Sequence, residues 1–326
     1  MCDWGDAESS RQVTRCDCEA DDLAAWNSPV RTYNPVHPRM GAMATFTDRE
    51  RRAFVRNGFL VRDDVLPSEL VDGARAAVVA AMEADPHDSN DLVGTDYNVA
   101  AEGVDEDPLD DIVDALVPVV DALVGEGTID PPGGGMQVAL NFPDADATDD
   151  VHGPKSVTGH LDGYAKFDEN PEVHAFSVGA TVYLDDVPPR TGGFTVWPGS
   201  HRVAAKYFED HALETIGGKP NSAKLPAMGD EPGEWDYTRR YHDQADPYEV
   251  SGDAGTVVLW HSRLLHSRGI NTGEDVRIAA IKRFQREGED DTVRDAAPNL
   301  FKYWPAMEGV PLVAGGDPVA SKRDWL

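Results

Sequence analysis

The hydrophobic rhythm of this chain changes from Met136 onward, and that change limits what it can fold into. Upstream, the apolar residues recur at helical spacing. Thr47 and Glu50 form a capping box that opens a short helix ending near Asn57 and Gly58, and Phe59 to Val61 reads as a brief strand. Ser68 is expected to cap a second helix reaching about Ala84, with Leu70, Ala74, Ala77, Val78 and Ala81 on one stripe. A third, from about Leu109 to Val124, buries Ile112, Val113, Leu116, Val120 and Leu123 and is expected to kink or break near Pro118. Downstream, short strands alternate with Gly and Pro turns: Met136 to Phe142, Ala175 to Leu184, Gly193 to Trp197, Gly255 to Trp260, and Arg277 to Phe284. Helices first and strands afterwards predict a mainly β fold with α additions, a double-stranded β-helix (jelly roll, cupin-like) buttressed by N-terminal helices.

The chemistry-bearing residues fall in the strand half. Residues two apart in a strand project from one face, so His160 and Asp162 can reach one metal ion while Leu161 points away. Two imidazoles and one carboxylate occupy one face of a ferrous ion and leave the other open for a cosubstrate and O2. His266, just past the apolar run ending at Trp260, is the candidate third ligand, and His261 is its rival. Eleven residues after His266, Arg277 opens an alternating segment read as the next strand of a hairpin. A guanidinium held near iron suits a dicarboxylate, because it binds carboxylate bidentately and keeps its charge; 2-oxoglutarate is the obvious dicarboxylate.

The pair His160 and Asp162, the segment from Gly192 to His201, and the block from His266 to Asn271 followed by Arg277 together resemble the phytanoyl-CoA dioxygenase (PhyH) family of Fe(II)/2-oxoglutarate oxygenases, over about residues 44 to 285. The resemblance implies His160, Asp162 and His266 as iron ligands and Arg277 as partner of the far carboxylate of 2-oxoglutarate. Gln137 or Asn141 lies where relatives place an amide or hydroxyl on the cosubstrate, with Gln137 ranked first. The position two after the distal His, a small hydroxyl in some relatives, is Arg268 here; either Ser267 substitutes for it or the contact is absent. An Asp at the second ligand position favours hydroxylation over halogen transfer, since the site a halide needs is filled. The expected reaction converts 2-oxoglutarate and O2 to succinate and CO2 and hydroxylates a small-molecule C–H bond. A catalytically silent jelly-roll module that holds a metal or metabolite is the alternative.

Composition bounds the rest. At 326 residues and 40% hydrophobic, the chain fits one large domain, expected over residues 43–326, after a flexible acidic tail at 1–42, with Met40 and Met43 as alternative native starts. Residues 203–248 interrupt the strand pattern and read as a lid. Arg239 and Tyr241 within it, and Trp197 before it, are candidate substrate contacts. His152, His174, His201 and His242 read as surface or turn histidines, and Asn271 as a structural turn residue. Cys2, Cys16 and Cys18 lack the spacing and the His of a zinc site.

The net charge of −30 is dispersed, with Asp over Glu by 40 to 19 and Arg over Lys by 21 to 8, which points to a halophilic protein kept soluble in concentrated salt. A basic patch for nucleic acid is lacking. No apolar run approaches the ~18 residues of a membrane span and no charged-then-apolar leader opens the chain, so a cytoplasmic protein without membrane partners is expected. The sequence says nothing of oligomeric state.

Overall fold

The computed structural model describes residues 45–63, 65–82, 85–87, 104–133, 135–144, 159–162, 175–210, 212–213 and 247–311. The expected tail at 1–42, all three cysteines, His152, His174, His242, Arg239, Tyr241 and most of the expected lid lie outside these residues.

Helix α1, Asp48–Asn57, starts on the expected capping box: Thr47 accepts from the Glu50 backbone N–H, and Glu50 accepts from the Thr47 N–H at 2.7 Å. It stops at Gly58, whose φ of 82° places it in the left-handed region that ends helices. Strand β1, Phe59–Arg62, follows directly. Helix α2, Ser68–Ala81, is shorter than expected, and its N-cap is Pro67 rather than Ser68, without a side-chain cap bond. Helix α3, Asp107–Val124, runs through Pro118 as one helix. Pro118 removes one backbone donor, but a face carrying Ile112, Leu116, Val120 and Leu123 is buried on both sides of it, and packing of that face sustains the helix.

The strands are β2 (Gln137–Asn141), β3 (Val178–Tyr183), β4 (Phe194–Val196), β5 (Tyr248–Glu249), β6 (Val257–His261), β7 (His266–Arg268) and β8 (Arg277–Phe284). They form two antiparallel sheets, β1-β6-β3-β8-β2 and β5-β4-β7, facing each other as in a jelly roll without closing into a barrel. The expected hairpin from β6 into β8 does not form. After β6 the chain turns at Leu264, whose N–H bonds to His261, crosses to the small sheet as β7 and returns to pair β8 between β3 and β2. Pairing between sheets, which local pattern does not encode, decides this.

Strand alternation sorts the large sheet into two faces. Leu60, Leu140, Val178, Ala180, Val182, Val257, Leu259, Ile278 and Ala280 point outward, into one core with Phe54, Val78, Ile112, Leu116 and Leu123 of the helices. Phe59, Tyr183, Val258, Trp260 and Ala279 point inward and meet Phe194, Val196 and Val250 of the small sheet. Tyr183 joins the layers by donating to the Val250 carbonyl at 2.6 Å and accepting from the Phe194 N–H at 2.8 Å. Helix α4, Ser200–Phe208, and helix α5, Glu289–Ala296, help cover the rear of the small sheet, where Leu161, Trp197 and Leu265 pack together.

Trp260 lies flat on the inner face because β3 offers it Gly179. A Cβ at Gly179 would sit 2.1 Å from indole carbons. The indole N–H reaches Thr181 Oγ1 at 3.2 Å. Gly179→Ala should therefore overpack the inter-sheet core and lower stability by about 1–3 kcal/mol. Urea unfolding checks this, and an unchanged midpoint contradicts the seating of Trp260.

Candidate functional site, a two-histidine carboxylate centre

The first link in the site is a backbone one. His160 and His266 form an isolated antiparallel bridge, the N–H of each bonding the carbonyl of the other at 2.8 and 3.0 Å. Residues paired in this way send their side chains to the same face. The two imidazoles accordingly lie with centroids 4.5 Å apart. Asp162, two residues on, joins them with Oδ1 3.5 Å from His160 Nε2 and Oδ2 3.6 Å from His266 Nε2. Among the described residues these three make a group whose candidate ligand atoms all lie within 4.8 Å of one another. Leu161 points the other way, as expected, into the rear cluster with Trp197 and Leu265.

The donor chemistry fits a divalent metal. His266 Nδ1 lies 2.9 Å from the Leu264 carbonyl, which only accepts, so Nδ1 carries the proton and the Nε2 lone pair faces the group. Burial, with a further push from His160, outweighs the Asp162 carboxylate and holds His266 below the usual imidazole range, so the ring is neutral. Trp260 packs on this imidazole at 4.4 Å and Phe194 stacks on it at 5.1 Å, fixing its plane. Burial alone would raise Asp162, but Arg283 and the two histidines more than offset it and keep the carboxyl ionised, well below its usual range. The His160 side chain is 37% exposed against 5% for His266, so the centre opens on the His160 side.

His261, the rival ligand, is excluded. Its Nδ1 accepts from the Arg263 N–H at 3.0 Å, and its Nε2 donates to the Leu300 carbonyl at 3.3 Å, leaving no lone pair for a metal. Burial lowers its pKa to about 3, and it stacks on Trp304 behind the large sheet. His201 is not a surface residue: it is fully buried, bonds the Val55 carbonyl at 3.0 Å and is held well below the usual imidazole range by burial.

Arg277 lies on the inner face of β8, 7% exposed. It donates through Nε to Gly192 O and through Nη1 to Ala139 O, each at 2.9 Å. Neither a salt bridge nor a bond from Nη2 is present among the described residues. Burial pulls its pKa to about 10, with Tyr183 and Glu249 pushing up and Arg268 pushing down.

Gln137 shares this inner face, but its Oε1 accepts from Arg283 Nη1 at 3.0 Å. Asn141 donates to Gly192 O and Gly269 O at 3.1 and 2.9 Å, so its amide hydrogens serve the frame. Asn271 is the structural residue expected, bonding Asn141 O and Asp275 O at 2.8 Å. Two expectations are corrected by strand parity. Ser267 pairs with Thr195 and points to the face opposite His266, so it does not stand in for the small hydroxyl; Arg268 occupies the inward position. Trp197 is fully buried behind the small sheet with Leu161 and Leu265, where it anchors the ligand segment and offers substrate no surface.

The sequence reading missed Arg283. Its Nε and Nη2 both donate to Asp162 Oδ2, at 2.9 and 2.5 Å. The signal was available, because Arg283 is six residues from Arg277 on one strand and so shares its face. Replacing Arg283 by Met leaves a largely buried carboxylate without its cation and should cost on the order of 2 kcal/mol in the metal-free protein. Melting curves with and without Mn(II) check this: the metal should raise the melting temperature further in the variant than in the parent, and an equal rise contradicts the ion pair.

Comparison with known proteins agrees with this geometry. The family model "Phytanoyl-CoA dioxygenase (PhyH)" matches residues 54–279, a span that contains His160, Asp162, His266 and Arg277. No curated protein matches the chain. Among solved structures, the chain is similar to the non-heme alpha ketoglutarate dependent carbocyclase SnoK from nogalamycin biosynthesis at 18% identity and TM-score 0.47, covering 73% of this chain and 83% of that one. EctD from S. alaskensis, with 2-oxoglutarate and 5-hydroxyectoine, matches at 18% identity and TM-score 0.46, covering 81% and 87%. The epimerase SnoN, in complex with Fe3+, alpha ketoglutarate and nogalamycin RO, matches at 18% and 0.45, covering 85% and 96%. These likenesses are too remote to transfer a substrate. The family match covers more than half of the sequence, and the chain belongs to the phytanoyl-CoA dioxygenase (PhyH) family of Fe(II)/2-oxoglutarate-dependent oxygenases.

Proposed function

We propose that this protein hydroxylates a C–H bond of a small molecule, with Fe(II) held by His160, Asp162 and His266 and 2-oxoglutarate held at its far end by Arg277. The observation that carries the cosubstrate assignment is the buried Arg277 guanidinium, which has no ion-pair partner among the described residues and leaves Nη2 uncommitted. A buried cation is stable only when paired, and a bidentate carboxylate supplies the missing partner. When bound, Fe(II) with 2-oxoglutarate and O2 supplies the oxidising chemistry, with succinate and CO2 as co-products. The chain's own part is orientation. His266 is locked by Leu264, Trp260 and Phe194; Asp162 is kept ionised by Arg283; and the apolar inner face restricts water.

Gln137, with Nε2 unengaged among the described residues, is the proposed amide contact for the cosubstrate. Substrate recognition is assigned to the 203–248 segment, whose Arg239 and Tyr241 suit an anionic group on an organic molecule. The silent-module alternative requires loss of a ligand or of the arginine, and all four side chains are present. Reduced iron and a metabolic keto acid suit a cytoplasmic setting. In concentrated salt with Fe(II), 2-oxoglutarate and ascorbate, the protein should form succinate slowly even without substrate. His160→Ala should abolish this, and Arg277→Ala should raise the 2-oxoglutarate requirement about 10- to 100-fold, the cost of a lost charge-assisted contact. A parent protein that forms no succinate favours the silent module.

The dispersed charge of −30 supports a salt-adapted protein. Screening lengths shrink from ~10 Å at 0.1 M salt to ~3 Å at 1 M, so repulsion among the acids should weaken the fold as salt is removed. The melting temperature is expected to fall steadily from molar KCl to dilute buffer. A flat profile argues against salt adaptation.

A further inference from the structure

The turn between β6 and β7 buries a charge that the metal centre does not use. Arg263, three residues before His266, is 4% exposed. Its Nε is enclosed without a hydrogen-bond partner, and no carboxylate lies within ion-pair distance of its guanidinium among the described residues. The Phe208 ring of α4 lies 5.7 Å from the guanidinium carbon, a contact that attracts a cation but leaves its charge in place. The Arg263 backbone N–H is committed to His261 Nδ1.

Arg263 lines a small cavity with Ser177, His261, Ser262, Glu289 and Trp304. The charges around this cavity do not balance. Buried Glu289 is claimed by Arg286, whose Nε lies 3.3 Å from its Oε2, and by the Ser177 hydroxyl, which donates to the same oxygen. His261 is neutral, with one ring nitrogen accepting and the other donating. Two buried guanidinium groups, Arg263 and Arg286, thus meet one carboxylate, and a single positive charge is left over. A buried charge is stable only when paired. The Ser262 hydroxyl, without a hydrogen-bond partner among the described residues, adds a neutral donor to the lining. The cavity has room for one water-sized body, which excludes carboxylates, phosphate and sulfate; a water fits but brings no charge. A halide ion meets both the size and the charge.

We infer that Arg263 and Ser262 form a halide site, filled by chloride in a salt-rich medium, seated behind the turn that leads to His266 and separate from the metal centre.

Crystals of the parent protein soaked in bromide should show an anomalous scatterer in this cavity, beside Arg263 Nε. Bromide found only elsewhere, or nowhere, overturns the site. Melting curves in molar KCl and in potassium gluconate of equal ionic strength give a second reading, because general screening is the same in both and gluconate is too large to enter. Going from gluconate to chloride should shift the melting temperature of the parent upward by about 5 °C more than that of Arg263→Met, the effect of a ligand at roughly a hundred times its dissociation constant. An equal shift in the two proteins overturns the site as well. The bromide measurement needs no variant, so it decides even where Arg263→Met does not fold.

Discussion

The reciprocal backbone bonds between His160 and His266 are the constraint on which the site depends. They join segments more than a hundred residues apart and oblige both imidazoles to emerge on one side. Asp162 inherits that side by parity. The reverse side of the same segment is anchored by Leu161, packed with Trp197 and Leu265. The approach is close enough that a Cβ at Gly159 would lie 2.5 Å from Leu265 and 2.8 Å from Trp197. Backbone pairing sets direction, rear packing sets depth, and the metal face results from both.

Charge inside the sandwich runs against charge outside it. The chain carries −30, yet Arg268, Arg277 and Arg283 all project from strands toward the inner face. Arg283 is matched by Asp162 and Gln137. Among the described residues Arg277 is tied only to carbonyls, which orient a cation without neutralising it. One arginine thus completes the metal-side carboxylate, and the other, under the proposed function, meets an anion brought by the ligand. That asymmetry, on a single strand, separates an arginine that neutralises a carboxylate from one held by carbonyls.

Much of this was legible because strand parity is a strict code. His160 and Asp162 differ by two, and Arg277 and Arg283 by six, so each pair shares a face; His261 and His266 differ by five and belong to different sheets. Parity also decides against Ser267 and Trp197, which flank inward positions and therefore face out. The helices were readable from their apolar stripes and the Thr47 capping box, while Pro118 misled because propensity is local and the packing that overrides it is not. The burial of His201 under α1 depends on a fold-level contact with Val55 that no neighbouring residue announces. The β6-to-β8 hairpin failed for the same reason, since β7 is recruited by β4 from the opposite sheet.

An acidic surface and the anion-binding interior of the proposed function are compatible only if their fields have different ranges. A keto acid approaching a −30 surface in dilute solution meets repulsion extending over ~10 Å. In molar salt that field decays within ~3 Å, whereas a guanidinium as buried as Arg277 is screened far less and retains its pull at contact distance. High salt therefore removes the long-range barrier while sparing the short-range attraction. In the salt-adapted setting proposed for this protein, few inner arginines suffice because the medium quiets the acids around them.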